Sequence, residues 1–377
     1  MQTWQDEFIF HDGDQFFSHL THALNAAQKT IDLETYIFDR DHLGMEMLEA
    51  LSHAASRGVR VRILLDGLGC SKWSYRDAQI SRMAGVAVRF FHPLPWQNKR
   101  SHILRFFRLR RILLGVWKLN RRNHRKTCVI DHQIAFLGGM NISARHLKKE
   151  TGKKAWRDTS VRVSGHAVSD LAQAFEYAWN HPRSLRNRWK RYLKVPAYPH
   201  LVRLNMVHRQ RKAAYRDLIH RISTAKTRVW ITNPYFVPPI SLIRALRMAA
   251  GRKMDVRLLF SEKNDILGMK WAIHAFYFIL LEGGIRIFEY QSSFLHAKIM
   301  LIDSWATVGS SNLNQRSFLH DLEVDVVLNH SSSVKSIENQ YLTDLVGSHE
   351  IDQKVWKHQP ITEKILSKFV LIFKRWL

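Results

Sequence analysis

Two stretches of this 377-residue chain carry the same reactive side chains at the same spacing. The first reads His124-Arg125-Lys126, four residues, Asp131; the second reads His296-Ala297-Lys298, four residues, Asp303. Each motif residue lies 172 positions from its counterpart (296 − 124, 298 − 126, 303 − 131). Each copy leads into a small-residue turn ending in asparagine, Gly138-Gly139-Met140-Asn141 and Gly309-Ser310-Ser311-Asn312. A lone His-x-Lys is common by chance. A duplicated one, with its Asp and its Gly…Asn turn, points to two half-sites meeting in one centre.

The chemistry such a centre permits follows from the residue types. Thr127-Cys128-Val129-Ile130 and Ile299-Met300-Leu301-Ile302 read as strands, in which positions i and i+2 share a face. His124 then projects with Lys126, and His296 with Lys298. Two ammonium groups neutralise the non-bridging oxygens of a phosphodiester, and Asn141 and Asn312 add hydrogen-bond donors. One imidazole can attack phosphorus to give a phosphohistidine, while the other protonates the leaving alkoxide and then deprotonates an incoming hydroxyl. Histidine suits both tasks because it titrates near neutrality. The half-sites are nearly equivalent, so the sequence leaves open which histidine attacks. Fixed cations take the place of a metal, and no metal or other cofactor is expected. His11, His208 and His274 lack ligand-spaced partners for zinc.

Asp131 and Asp303 complete the motif and are counted with its catalytic set. Their position seven residues after the histidine (131 − 124) turns them away from it on an unbroken strand, which favours a turn-forming, scaffolding role. The histidines still need an acid on the second ring nitrogen. Asp158 and Glu323 stand at comparable places in the two halves and are the candidates. One departure separates the turns: Gly139 stands where the second copy has Ser310, so a phosphate contact by that hydroxyl would exist in one half only.

The repeat extends to the elements that must hold these groups. Thr30–Phe38 parallels Thr227–Phe236, Val61–Leu65 parallels Val256–Phe260, and Val86–Phe90 parallels Ile285–Phe288. The short continuous apolar runs suit strands buried on both faces, alternating with helical segments. This pattern predicts an α/β fold: two similar domains of mixed, mostly parallel sheets flanked by helices, sharing one central site. The expected units are 1–195, 196–345 and a tail at 346–377, with the basic, proline-marked stretch 182–199 as the boundary.

The halves differ ahead of the first motif. Gly85 precedes His124 by 39 residues (124 − 85), whereas Gly284 precedes His296 by 12 (296 − 284), so the first half carries an insert at about 94–121. Within it, Arg105, Arg108 and Arg111 recur at helical spacing beside Phe106, Leu109, Leu113 and Trp117. The segment Lys364 to Leu377 repeats this basic, apolar mixture and ends on Trp376. Both read as amphipathic helices for a membrane surface. The net charge of +26 agrees with attraction to a polyanion, either nucleic acid or an anionic bilayer. No secretory signal stands at the start, and Trp271–Leu281, too short to span a bilayer, is expected as a buried helix. Two cysteines, Cys70 and Cys128, make no disulfide framework.

From about residue 8 to residue 330 these motifs resemble the phospholipase D superfamily, whose fold is two similar α/β domains around one site. Glu34-Thr35-Tyr36-Ile37-Phe38, Ala55-Ser56-Arg57-Gly58-Val59, Pro234-Tyr235-Phe236-Val237-Pro238 and Arg316-Ser317-Phe318, with the two motifs and their turns, most resemble the bacterial cardiolipin synthases. The resemblance implies transfer of a phosphatidyl group from one phosphatidylglycerol to a histidine, then to a second phosphatidylglycerol. It implies an anionic bilayer as partner and peripheral placement on the bacterial inner membrane, with no nucleic acid; it names no protein partner. It resembles the shorter members, without N-terminal transmembrane helices, and in many superfamily members the first histidine, here His124, is the nucleophile. Three alternatives stay open. They are a phosphodiesterase or nuclease that uses water, transfer from phosphatidylethanolamine or to another alcohol, and a non-enzymatic polyanion binder, against which both intact motif copies argue.

Overall fold

The computed structural model describes residues 3–98, 121–180 and 201–357. The basic stretches expected in the insert and at 364–377, and the expected boundary near 195, lie outside the described residues.

Each half builds one sheet. The first contains β1 (Asp6–Phe10), β2 (Thr30–Thr35), β3 (Arg60–Asp66), β4 (Ala87–Phe91), β5 (Thr127–Ile130), β6 (Ile134–Gly138) and β7 (Ser160–Ser164) in the order β1-β7-β6-β5-β2-β3-β4. The second contains β8 (Val202–Leu204), β9 (Arg228–Thr232), β10 (Asp255–Ser261), β11 (Arg286–Tyr290), β12 (Ile299–Ile302), β13 (Trp305–Gly309), β14 (Val324–Leu328) and β15 (Ser348–Glu350). Its order is β15-β11-β10-β9-β12-β13-β14-β8, the same arrangement with one edge strand added.

The sheets are mixed, but they are not mostly parallel. Parallel pairing is confined to β2–β3–β4 and β9–β10–β11, and every other pair is antiparallel. The reason is connection length. A parallel neighbour needs a crossover of a dozen or more residues, whereas β5 and β12 each turn straight back into the next strand. A buried run looks the same in either direction, so the apolar pattern did not carry this distinction. Likewise β15, placed by sequence in the tail, pairs with Phe288–Tyr290 and belongs to the second sheet; three residues are too few to show a period.

Burial on both faces explains the apolar runs. In β3, Val61, Ile63 and Leu65 pack outward with the helices Gly13–Ala26 and His42–Ser56, while Leu64 faces a central core. In β10, Val256, Leu258 and Phe260 face the helices Ile240–Gly251 and Met269–Glu282, and Leu259 faces the centre. The latter helix contains the expected Trp271–Leu281, but buries one face only, with Phe278 and Ile279 exposed. The central core draws on both halves, with Val129, Leu137 and Val161 packed in one cluster with Ile299, Leu301 and Val308. At about 1.5–3 kcal/mol for each large apolar side chain buried, this shared cluster holds the halves together.

Candidate active site

The histidines stand on irregular segments just ahead of β5 and β12, and those segments pair across the molecule. The His124 N–H donates to Leu322 O (2.9 Å), and Leu322 N–H donates to Arg122 O (2.8 Å). In the other arm, His296 N–H donates to Arg157 O (2.8 Å), and Arg157 N–H donates to Phe294 O (2.9 Å). Each histidine is thereby laced to the stretch that carries the other half's candidate acid. Buried ion pairs hold these segments: Arg122 on Asp66 at the end of β3 (2.7 Å), and Arg157 on Asp344 (2.8 Å).

The acids complete the exchange. His296 Nδ1 lies 2.7 Å from Asp158 Oδ2, and His124 Nδ1 lies 3.0 Å from Glu323 Oε2 and 3.1 Å from Oε1. Both carboxylates are almost fully buried. The first half's acid therefore serves the second half's histidine, and the reverse. A carboxylate on Nδ1 keeps the proton there and leaves the Nε2 lone pair free to attack or to accept. The two acids occupy one register position, since Gly139 N–H bonds Thr159 O and Ser310 N–H bonds Val324 O.

The Gly139/Ser310 departure has a steric cause. A Cβ on Gly139 would sit 2.2 Å from Asp158 Oδ1. Beside the longer Glu323 there is room for a side chain, and the Ser310 hydroxyl donates to Glu323 Oε2 at 2.6 Å. Ser310 thus steadies an acid.

Lys126 and Lys298 are buried next to their histidines. Lys126 Nζ donates to His124 O at 2.6 Å, and Lys298 Nζ donates to His296 O. Burial lowers Lys126 to about 7 and Lys298 to about 8, with the carboxylates of Glu323 and Asp158 opposing it. Burial, then the nearby lysines, holds both histidines well below their usual value. Each histidine feels the other half's lysine, and His296 feels His124 as well, as expected for one shared centre. Neutral imidazoles suit attack, and an anionic ester bound between the lysines would favour their ammonium forms.

Asn141 and Asn312 are both buried. Asn141 Oδ1 accepts Ile37 N–H (3.2 Å); Asn312 Oδ1 has no hydrogen-bond partner among the described residues. Asp131 and Asp303 lie apart from this cluster, at the far ends of β5 and β12. Both adopt φ 52°, a left-handed turn conformation that Asp tolerates. Asp131 accepts the N–H groups of Gln28, Lys29 and Thr30, and Asp303 those of Lys226, Thr227 and Arg228. They fix the entries to β2 and β9, the neighbours of the motif strands. Partial burial works against the Asp303 charge, but the Thr227 hydroxyl and these backbone donors outweigh it and bring the group down to about 2.

Asp131→Ala and Asp303→Ala should therefore lose stability, about 1–2 kcal/mol each, and keep turnover at temperatures where they stay folded. Because the folded-state value of Asp303 is depressed, its contribution is present above about pH 4 and fades as pH falls toward 2. Urea melts of Asp303→Ala and wild type should converge over that window. Loss of turnover in a fully folded variant would return the aspartates to the chemistry.

Four aromatic groups lie beside the two histidines, and none was named as a site residue from sequence. The Tyr36 ring lies 4.9 Å from His124, while Trp156, Phe294 and Tyr235 lie 5.3, 5.8 and 6.1 Å from His296. A signal existed for two of them, because Tyr36 and Tyr235 hold matching places in the repeated Thr30 and Thr227 segments. Arg316 and Asp321 were likewise not named as site residues, although Arg316 lies in a segment that carries the resemblance. They pair at 3.0 Å, and burial raises Asp321 to about 6.

The family model described as "Cardiolipin synthase, PLD-like domain" matches residues 20–179 and 218–345. A probable cardiolipin synthase of Bacillus subtilis (YwiE) is 30% identical over 370 residues, covering 97% of this chain and 71% of that one. A cardiolipin synthase of Alkalihalophilus pseudofirmus is 31% identical over 372 residues, covering 95% and 69%. Among solved structures, a phosphatidylserine synthase from Haemophilus influenzae superposes with a TM-score of 0.71 at 13% identity, covering 98% of this chain and 95% of that one. That likeness speaks for the fold alone.

Proposed function

Since the chain belongs to the cardiolipin synthase family of PLD-like proteins, we propose that it transfers a phosphatidyl group between two phosphatidylglycerol molecules, yielding cardiolipin and glycerol. The observation that carries this reading is the crossed pair His124–Glu323 and His296–Asp158, which puts two oriented imidazoles in one lysine-lined centre.

In the first half-reaction, Nε2 of one imidazole forms a bond to phosphorus as the P–O bond to glycerol breaks. The other imidazole, turned to its cation by a proton taken up on Nε2 as the anionic substrate binds beside it, gives that proton to the leaving glycerol oxygen. In the second, that imidazole takes the proton of a phosphatidylglycerol hydroxyl, whose oxygen bonds phosphorus as the P–N bond breaks. Lys126 and Lys298 balance the charge on the non-bridging oxygens. Water is the competing acceptor, and a site at a bilayer surface favours lipid by effective concentration.

Peripheral placement on the bacterial inner membrane belongs to the same proposal. Among the described residues no helix is long and apolar enough to cross a membrane. Ile266 and Leu267 are exposed by 43% and 93%, one and two residues beyond Asp265, which accepts a 2.6 Å hydrogen bond from Tyr235 at the site. They expose apolar side chains within two residues of that contact.

The test is incubation with labelled phosphatidylglycerol vesicles and identification of products, beside flotation and DNA retention at matched salt. Cardiolipin with vesicle flotation is expected. Phosphatidic acid alone would replace transfer with hydrolysis, and DNA retention without flotation would replace the lipid reading with a nuclease.

A further inference from the structure

His146, which ends the short 3-10 turn Ala144–His146, lies beside the His296–Asp158 pair. It is 1% exposed, with its ring 5.5 Å from Trp156 and 6.2 Å from His296. Its Nε2 accepts the backbone N–H of Asn141 at 3.2 Å. A nitrogen that accepts carries no proton, so in the neutral ring the proton sits on Nδ1. That Nδ1 is buried, has no hydrogen bond among the described residues, and lies 4.0 Å from Asp158 Oδ2. The same oxygen holds His296 at 2.7 Å.

The repeat says what a group in this place does. His146 and Ser317 are 171 positions apart (317 − 146), as are Asn141 and Asn312 (312 − 141). Ser317 Oγ donates to Glu323 Oε1 at 2.7 Å, on the acid that orients His124. Both halves thus set a neutral donor behind the acid, and the sizes trade: a short donor with Glu, a long one with Asp. The two counterparts share no chemical likeness beyond donating a proton, which is the property retained.

We propose that His146 is a positioning residue, whose Nδ1–H closes onto Asp158 when substrate binds and thereby fixes the acid that orients His296. Such contacts are commonly long in the free enzyme and tighten in the complex. The proposal rests on the catalytic reading of His296. Burial keeps His146 neutral, down to about 3, so the donor persists across the working range. The charged and titratable groups facing it are Asp158, His296, Lys298 and Lys126.

The test compares His146→Phe, which keeps a ring and loses both nitrogens, with His146→Gln, whose amide can accept from Asn141 and donate to Asp158. His146→Phe should lower kcat about tenfold with KM for phosphatidylglycerol vesicles nearly unchanged. Its His296-dependent limb of the pH–kcat profile should move to higher pH, because the carboxylate charge then falls on His296 alone and favours its cation. His146→Gln should recover activity to within about threefold of wild type. Equal kcat and pH limbs in folded His146→Phe and wild type would overturn the proposal, as would a His146→Gln no better than His146→Phe. A readout independent of turnover and of variant folding is the 15N spectrum of histidine-labelled wild type. A proton on Nδ1 of His146 is expected, and one on Nε2 overturns the assignment. If wild type makes no cardiolipin, the functional reading fails while this tautomer test still stands or falls by itself.

Discussion

Replacing His124 or His296 with alanine is expected to cut turnover of phosphatidylglycerol vesicles by about 10⁴-fold or more, because each removal deletes one of two indispensable proton or bond partners. Neither half holds a complete set: each imidazole is oriented by a carboxylate from across the molecule. The two variants should fail differently. A phosphodiester with an aryl leaving group needs little protonation as it departs, so the variant that keeps the nucleophile should still form the P–N adduct. The other should form none. Acid-quenched labelling with such a donor would therefore name the attacking histidine, which near-equivalent half-sites conceal. More than a few per cent of wild-type turnover in either folded variant would break the shared-centre account.

Asp158→Asn and Glu323→Gln should each lower kcat by about 10²–10⁴-fold, since the amide permits the wrong imidazole tautomer and stabilises the cation poorly. The crossing makes a sharper demand. In a His296→Ala background whose activity is partly restored by added imidazole, Asp158→Asn should cost little, because a free imidazole is not held by that carboxylate. Glu323→Gln should retain its full penalty there, because His124 still depends on it. The pattern should invert in His124→Ala. Rescue measurements on the four double variants check this, and a penalty that follows the acid of the same half would refute the crossed pairing.

The duplicated motif and the both-face burial of β3 and β10 were legible because they are local: spacing and apolar content suffice to state them. The turn position of Asp131 and Asp303, away from the histidines, was legible from an odd offset, and their carboxylates bond the strand entries there. Asp158 and Glu323 could be nominated by place, yet not matched to a histidine. Each half resembles the other, so nothing within either says which face meets which; only the lacing of His124 to Leu322 and His296 to Arg157 does. Strand direction was lost for the reason that a run such as Ile299–Ile302, antiparallel to both neighbours, buries equally well either way. His146 escaped notice because its counterpart is a serine, and likeness of role without likeness of side chain leaves no trace in a repeat.

The crossed carboxylates also constrain how such a chain can change over time. Duplication ordinarily frees one copy to drift while the other keeps the task. Here an altered acid in either lobe removes the hydrogen-bond partner of the opposite lobe's imidazole, so a substitution at these positions does not stay private to the copy that suffers it. Gly139 with Asp158, and Ser310 with Glu323, show the two lobes differing at both members of the pair, the smaller residue with the shorter acid and the larger with the longer.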